Sequence, residues 1–251
     1  MSRPVRLLMM PAFLSPALCA LAGFGYITMA NSNPMVDPLL SHWDQALGLS
    51  WLAYVRYFAE HPWLAAITSS CYNLMIKAAL VVIAIAVIES NPKKATELIG
   101  LILITTFITL IIGAYFPAQS AMNYLADDHL RSQFPPGTGN FFVQELLEVR
   151  GSIPKFIDLT HPEGIVQFPS FHTICGILTI YGARGALWHF IPALIFGLLM
   201  IAGTPVYGGH YFVDVIAGAA IAFSAIAVSQ LVFMRKATMG KNHIVNLASP
   251  A

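Results

Sequence analysis

His210 and Asp214 stand four residues apart in the stretch GTPVYGGHYFVDVIAG (203–218), where a polar turn runs into an apolar helix. Residues i and i+4 share a helix face, so Asp214 can accept a hydrogen bond from one imidazole nitrogen of His210 and leave the other aimed outward. A histidine oriented by a carboxylate is the arrangement of a nucleophile or general base. Gly208 and Gly209 remove side chains just before it, which lets a substrate approach the backbone closely. By itself the pair is equally a satisfied polar contact at a helix end. A second stretch, FPSFHT (168–173), also brings a histidine, His172, to the mouth of an apolar helix. Two such histidines are hard to explain by packing.

The chain around them has 251 residues, of which 57% are hydrophobic and 10% charged, and its mean hydropathy is +0.70. Soluble domains carry roughly 25% charged residues, so this composition indicates an integral membrane protein, all-α, with residues 1–251 forming one membrane domain. A net charge of +1 without a basic patch gives no reason to expect nucleic acid as a partner. Cys19, Cys71 and Cys175 all fall in apolar runs, which argues against disulfides and Cys-X-X-Cys metal sites. No carboxylate cluster suggests magnesium, and neither metal nor cofactor is expected.

Hydropathy predicts a polytopic six-helix bundle with short interfacial helices. The first span covers about Pro11 to Ala30 behind Arg3 and Arg6, and it is too long for a signal peptide with no small-residue cleavage site after it. Asp37–Glu60 is amphipathic and aromatic, as in helices lying at a membrane surface or a loop packed on the bundle. Spans then run from about Trp63 to Ile88, Ala95 to Phe116, Ser170 to Gly182, Leu187 to Ala202 and Tyr211 to Phe233. A hydrocarbon core of ~30 Å needs about 20 residues, and the fourth is short for that. Lys77 lies inside the second, and an intramembrane lysine usually faces the bundle interior or a polar cavity. Residues 118–167 form a long loop with a short helix at Phe141–Val149, and 234–251 form a polar tail.

Loop charges set the orientation. Arg3, Arg6, Lys93, Lys94, Arg184, Arg235, Lys236 and Lys241 share one side, against Arg56, Arg131, Arg150 and Lys155 on the other. Both termini are therefore expected in the cytoplasm, and both histidines arrive at the outer surface. There the fourth and sixth helices point their N-termini at one site, and unpaired N–H groups favour an anion. Ser170 is placed as an N-cap or anion ligand, while Arg150 and Lys155 stand ready to close over a phosphate. Two histidines, a carboxylate and an anion site suggest phosphoryl transfer through a phosphohistidine. His210 attacks phosphorus, Asp214 orients it, and His172 protonates the leaving alcohol and then activates the acceptor. Tyr207 can hydrogen-bond in the site or serve as an interfacial aromatic.

These motifs resemble the type 2 phosphatidic acid phosphatase superfamily, which implies a six-helix core and an extracytoplasmic or lumenal site. The family's Pro-Ser-Gly-His appears as Pro169-Ser170-Phe171-His172, and its Ser-Arg-x5-His-x3-Asp keeps His210 and Asp214 but has Gly203 and Thr204 in place of Ser-Arg. The family's Lys-x6-Arg-Pro motif is missing. LEVRG (147–151), EGIVQFPSFHT (163–173) and TPVYGGHYFVDVIAG (204–218) look like the bacterial members of the inositolphosphotransferase (inositol phosphorylceramide synthase)-like branch. The resemblance is dense over 147–218. It implies His172, His210 and Asp214 as catalytic residues, a lipid phosphate as substrate, membrane lipids as surroundings and a bacterial inner membrane as location. Arg150 becomes the substitute phosphate ligand, with Ser170 and Lys155 beside it and Phe171, Tyr207 and Gly209 in support. Hydrolysis and transfer of a phospho-headgroup to a lipid alcohol share the first step and stay equally open. A non-catalytic protein with structural or haem-ligating histidines is the reading from another class.

Overall fold

Prolines and small polar residues set where the helices begin. The computed structural model describes residues 3–151 and 163–247, with side chains over 16–151 and 163–232. Helix α1 spans Arg3–Met29, α2 Asp37–Ala46, α3 Trp51–Glu60 and α4 Pro62–Asn73. Helix α5 follows at Met75–Ile88 and α6 at Pro92–Tyr115. Proline at the first turn removes a donor that would lack a partner there anyway, and it stands at the start of α2, α4 and α6. Before α6, the Asn91 side chain accepts the Lys94 N–H, a standard N-cap. Three short helices come next, α7 Ala121–Leu125, α8 Asp128–Arg131 and α9 Val143–Val149. The chain closes with α10 Phe171–Gly182, α11 Leu187–Tyr207 and α12 Phe212–Leu247.

Helix α10 is the axis of the bundle, packed against α5, α6, α11 and α12. A helix apolar on every side belongs inside, and α10 buries Ile174, Cys175, Ile177 and Leu178 among Ile83, Leu98, Ile102 and Ala222 of its neighbours. Small residues let helix backbones approach. A Cβ on Gly176 would come within 2.9 Å of Ile201, and one on Gly197 within 2.7 Å of Ile180, so α10 and α11 meet through glycine from both sides.

Among the described residues, three helices are long and apolar enough to cross a membrane: Pro92–Tyr115, Leu187–Tyr207 and Phe212–Val232. A fourth crossing arises if α4 and α5 count as one span, bent by 58° at the break between them. Helix α10 has 12 residues, about 18 Å at 1.5 Å per residue, well short of the hydrocarbon thickness. The fold class is thus all-helical and of membrane type, with three helices among the described residues, or four with the bent pair, of crossing length and composition. Lys77 departs from expectation too: it lies in the first turn of α5 with its side chain exposed.

The end of the bundle that carries the C-terminus of α11 is covered by a second layer. Leu40 of α2 and Trp51, Val55 and Phe58 of α3 pack with Met122, Phe134, Val206 and Tyr211 in one buried cluster. The amphipathic 37–60 stretch is therefore a pair of helices seated on the bundle. The predicted helix in the long loop forms as α9 and packs through Val143, Leu146 and Val149 against Tyr26 and Met29 at the end of α1.

Candidate active site

The turn between α11 and α12 is held from every side by its backbone. Gly209 adopts φ +61, and its carbonyl accepts the Gln167 side-chain amide at 2.7 Å and the Ala121 N–H at 2.7 Å. A Cβ there would sit 2.1 Å from the Gly139 carbonyl oxygen, so the position needs glycine for both conformation and space. The next carbonyl, that of His210, accepts the Trp51 indole N–H at 3.1 Å. With the turn fixed, Asp214 in the first turn of α12 meets the ring: its Oδ2 lies 3.1 Å from His210 Nδ1 and also accepts the Tyr211 N–H at 3.0 Å. The ring's other edge packs against Gly208, where a Cβ would fall 2.6 Å from Cδ2 and 3.1 Å from Nε2. Burial first, and then the neighbouring His172, push the His210 imidazole down to about 3. A backbone hydrogen bond from the ring to Gln167 works against that shift, and Nδ1 is the nitrogen that faces the Asp214 carboxylate.

His172 reaches the same place from the other side. Ser170 caps α10, its Oγ accepting the Thr173 N–H at 3.3 Å, and its backbone N–H donates to the Asp214 carbonyl at 3.1 Å. The starts of α10 and α12 are thereby joined, and His172, in the first turn, stands with its ring centroid 6.4 Å from that of His210. Tyr72, just before the α4–α5 break, stacks on the His172 ring at 3.9 Å and 12°. Both histidines line one end of a cleft of about 450 Å³. Tyr72, Gln167 and Gly208 line it with them, and apart from Glu163, Thr106 and Thr109 the remainder is apolar, formed by α1, α5 and α6 through residues such as Leu21, Ile76, Leu80 and Leu110.

Two buried aspartates of α2 secure this arrangement. Asp44 accepts the Phe212 and Val213 N–H groups at 2.9 and 2.8 Å. It therefore caps α12 from another element. Asp37 accepts the Gln119 and Ser120 N–H groups and the Tyr211 hydroxyl at 3.0 Å. Burial raises both carboxyls from the ordinary range, and the N–H donors pull them back toward the ionised form. The expectation that α10 and α12 both aim free N-termini at an anion is corrected here: the first N–H groups of α12 are taken by Asp44, which leaves the start of α10. Asp44→Ala is expected to strand two buried donors and lower stability by ~1–3 kcal/mol, read as a drop in thermal midpoint with a matching loss of activity.

The family model of the PAP2 superfamily matches residues 38–228. The chain belongs to the PAP2 superfamily. No curated protein and no solved structure matches it. Membership brings phosphatase or phosphotransferase chemistry on phosphate esters, so the chain is an enzyme of the phosphatase kind.

The remaining residues singled out in this PAP2-superfamily sequence scatter. Phe171 lines the cleft beside His172. The Ser170 hydroxyl is occupied as the α10 cap and is wholly buried. Tyr207 donates its hydroxyl to the Ala65 carbonyl at 2.5 Å and lies behind Tyr72, away from the cleft lining. Arg150 ends α9, and its guanidinium donates to the Met29 carbonyl, the Asn31 side chain and the Asn33 carbonyl, fastening the end of α1. Lys155 lies outside the described residues. The residues that position the site without having been singled out are Asp37, Asp44, Trp51, Tyr72 and Gln167. Asp37 and Asp44 are seven apart in α2, two helical turns on one face, which is the signal that they point inward together.

Proposed function

We propose that this enzyme acts on the phosphate ester of a lipid, through a phosphohistidine formed at His210. The observation that carries the reading is the pair of imidazoles, with ring centroids 6.4 Å apart, in a mostly apolar cleft of about 450 Å³. That separation leaves room for one phosphorus between them, and the apolar walls suit a hydrocarbon chain. His210 Nε2 attacks phosphorus, the bond from phosphorus to the leaving oxygen breaks, and His172, which enters the cycle as the imidazolium beside the anionic substrate, gives its proton to that oxygen. In the second step His172 takes a proton from water or an alcohol, the new oxygen bonds to phosphorus, and the P–N bond breaks. Asp214 holds Nδ1–H throughout and stabilises the positive ring as it forms. The Tyr72 hydroxyl and the N–H groups that start α10 supply donors to the phosphoryl oxygens.

Six crossings, counting α4 and α5 as one and α10 as the short one, both termini in the cytoplasm and the histidines at the outer face of a bacterial plasma membrane fit the lysine and arginine asymmetry of the loops. Asp214→Asn is expected to keep the geometry and a small residue of activity, because the carboxylate orients rather than reacts. Its kcat on a good substrate should fall by roughly 10²–10⁴-fold; an unchanged kcat would remove Asp214 from the scheme.

The inositolphosphotransferase-like reading, headgroup transfer between lipids, draws on one further observation. Among the described residues no lysine or arginine lines the cleft, and a singly charged phosphodiester is less costly to desolvate than a doubly charged monoester. Purified enzyme incubated with labelled phosphatidic acid, or with a phosphodiester lipid plus a lipid alcohol, separates the two. Free phosphate from the first marks a phosphatase, a new phospholipid from the second marks a transferase, and no product from either removes the lipid reading.

A further inference from the structure

At the other end of the bundle lies a second polar pocket, and no part of the chemistry above uses it. Residues 189 and 207 bound most of α11, and that length of helix places this pocket about 27 Å from the His210 turn. Its volume is about 410 Å³, and Glu89, Lys93, Lys94, Glu97, Arg184 and His189 line it. Two of its carboxylate contacts are already committed. Glu97 pairs with Arg184 and accepts the Tyr181 and Ser229 hydroxyls. Glu89 stands 4.0 Å from Lys94 and 3.7 Å from His189 Nδ1.

Lys94 also donates to the Arg184 carbonyl at 2.7 Å, which leaves Lys93, the His189 ring and the start of α11 without an acceptor at hydrogen-bond distance among the described residues. His189 is 6% exposed, and neither ring nitrogen has a hydrogen-bond partner. Burying such a group without one costs free energy. Helix α11 begins on Gly185-Ala186, and Ala186 at the N-cap has no side chain to satisfy the first N–H groups. Lys93 and Lys94 occupy the first turn of α6, where the helix dipole disfavours cations. Three unfavourable features face one cavity, and a bound anion would relieve all of them: it accepts from the α11 N-terminus, from His189 and from Lys93. A tetrahedral, multiply accepting anion fits such a donor set. We propose that this pocket binds a phosphate group, carried by a phospholipid headgroup of the leaflet at that end or present as free phosphate.

Trp188 provides the reporter, since its ring lies edge-on to His189 at 4.6 Å. The full chain, carrying His210→Ala so that no lipid is turned over, is held in alkyl maltoside micelles, which carry no phosphate, and its tryptophan emission recorded, with Trp188→Phe to assign the signal. Inorganic phosphate is titrated in one arm; in the other, phosphatidic acid is mixed into the micelles. A saturable change of Trp188 emission in either arm, weakened roughly tenfold by Lys93→Ala or His189→Gln as for loss of one charge-assisted hydrogen bond, supports the site, and the responding arm identifies the source. Lys93 is exposed, so its variant folds whatever His189→Gln does. No change in either arm, or a change that Lys93→Ala leaves undiminished, overturns the proposal.

Discussion

Replacing His210 by alanine is expected to abolish turnover of every phosphate ester the enzyme accepts, while the protein still folds. The nucleophile is the one group whose removal leaves no first step, and loss of such a residue typically costs at least ~10⁴-fold in kcat. The fold should survive because the turn is held through main-chain acceptors that alanine keeps. Gln167 and Ala121 still donate to the Gly209 carbonyl, Trp51 still donates to the carbonyl of residue 210, and Asp214 still accepts the Tyr211 N–H. The lost imidazole–carboxylate contact should lower stability by only about 1–2 kcal/mol. A kcat measurement beside a thermal midpoint distinguishes this from general unfolding.

His172→Ala is expected to give the second-largest loss, roughly 10²–10⁴-fold, the usual range for a general acid–base group. Its size should depend on the leaving group. A lipid alkoxide needs a proton as it departs, so the first step suffers fully. A nitrophenolate leaves without one, so phosphorylation of His210 should proceed nearly as in the unaltered enzyme. The second step still needs a base to activate the acceptor. With a nitrophenyl phosphate substrate this variant should therefore show a burst of nitrophenol followed by slow turnover. A uniform loss across leaving groups, with no burst, would instead make His172 a structural partner of Tyr72, on whose ring it stacks.

The sequence was most informative where local spacing determines the outcome. The His210–Asp214 contact and the cap at Ser170 are short-range features that form where the spacing predicts, although His210 stands in the turn before α12 and not on its face, and Gly209 makes room for the Gly139 backbone and not for substrate. Helices α6, α11 and α12 follow from unbroken apolar runs. The bend between α4 and α5 was illegible, because the apolar run continues across Leu74 without proline or glycine. Arg150 looked like a phosphate ligand because charge and proximity in sequence say nothing about direction; its guanidinium turns toward the end of α1. That Asp37 and Asp44 cap other elements was illegible, since the N–H groups they accept come from residues more than 80 positions away. No local pattern marks Tyr72, and only the tertiary fold puts its ring on His172.

The most direct test of the scheme is to trap the covalent intermediate. Enzyme mixed with a ³²P-labelled phosphate ester, quenched in alkali and digested should yield label on the peptide containing His210, stable to base and lost in acid as a phosphoramidate is. The label should accumulate in His172→Ala with a nitrophenyl substrate and be absent in His210→Ala. Label on another residue, or full turnover by the His210 variant, would contradict the account.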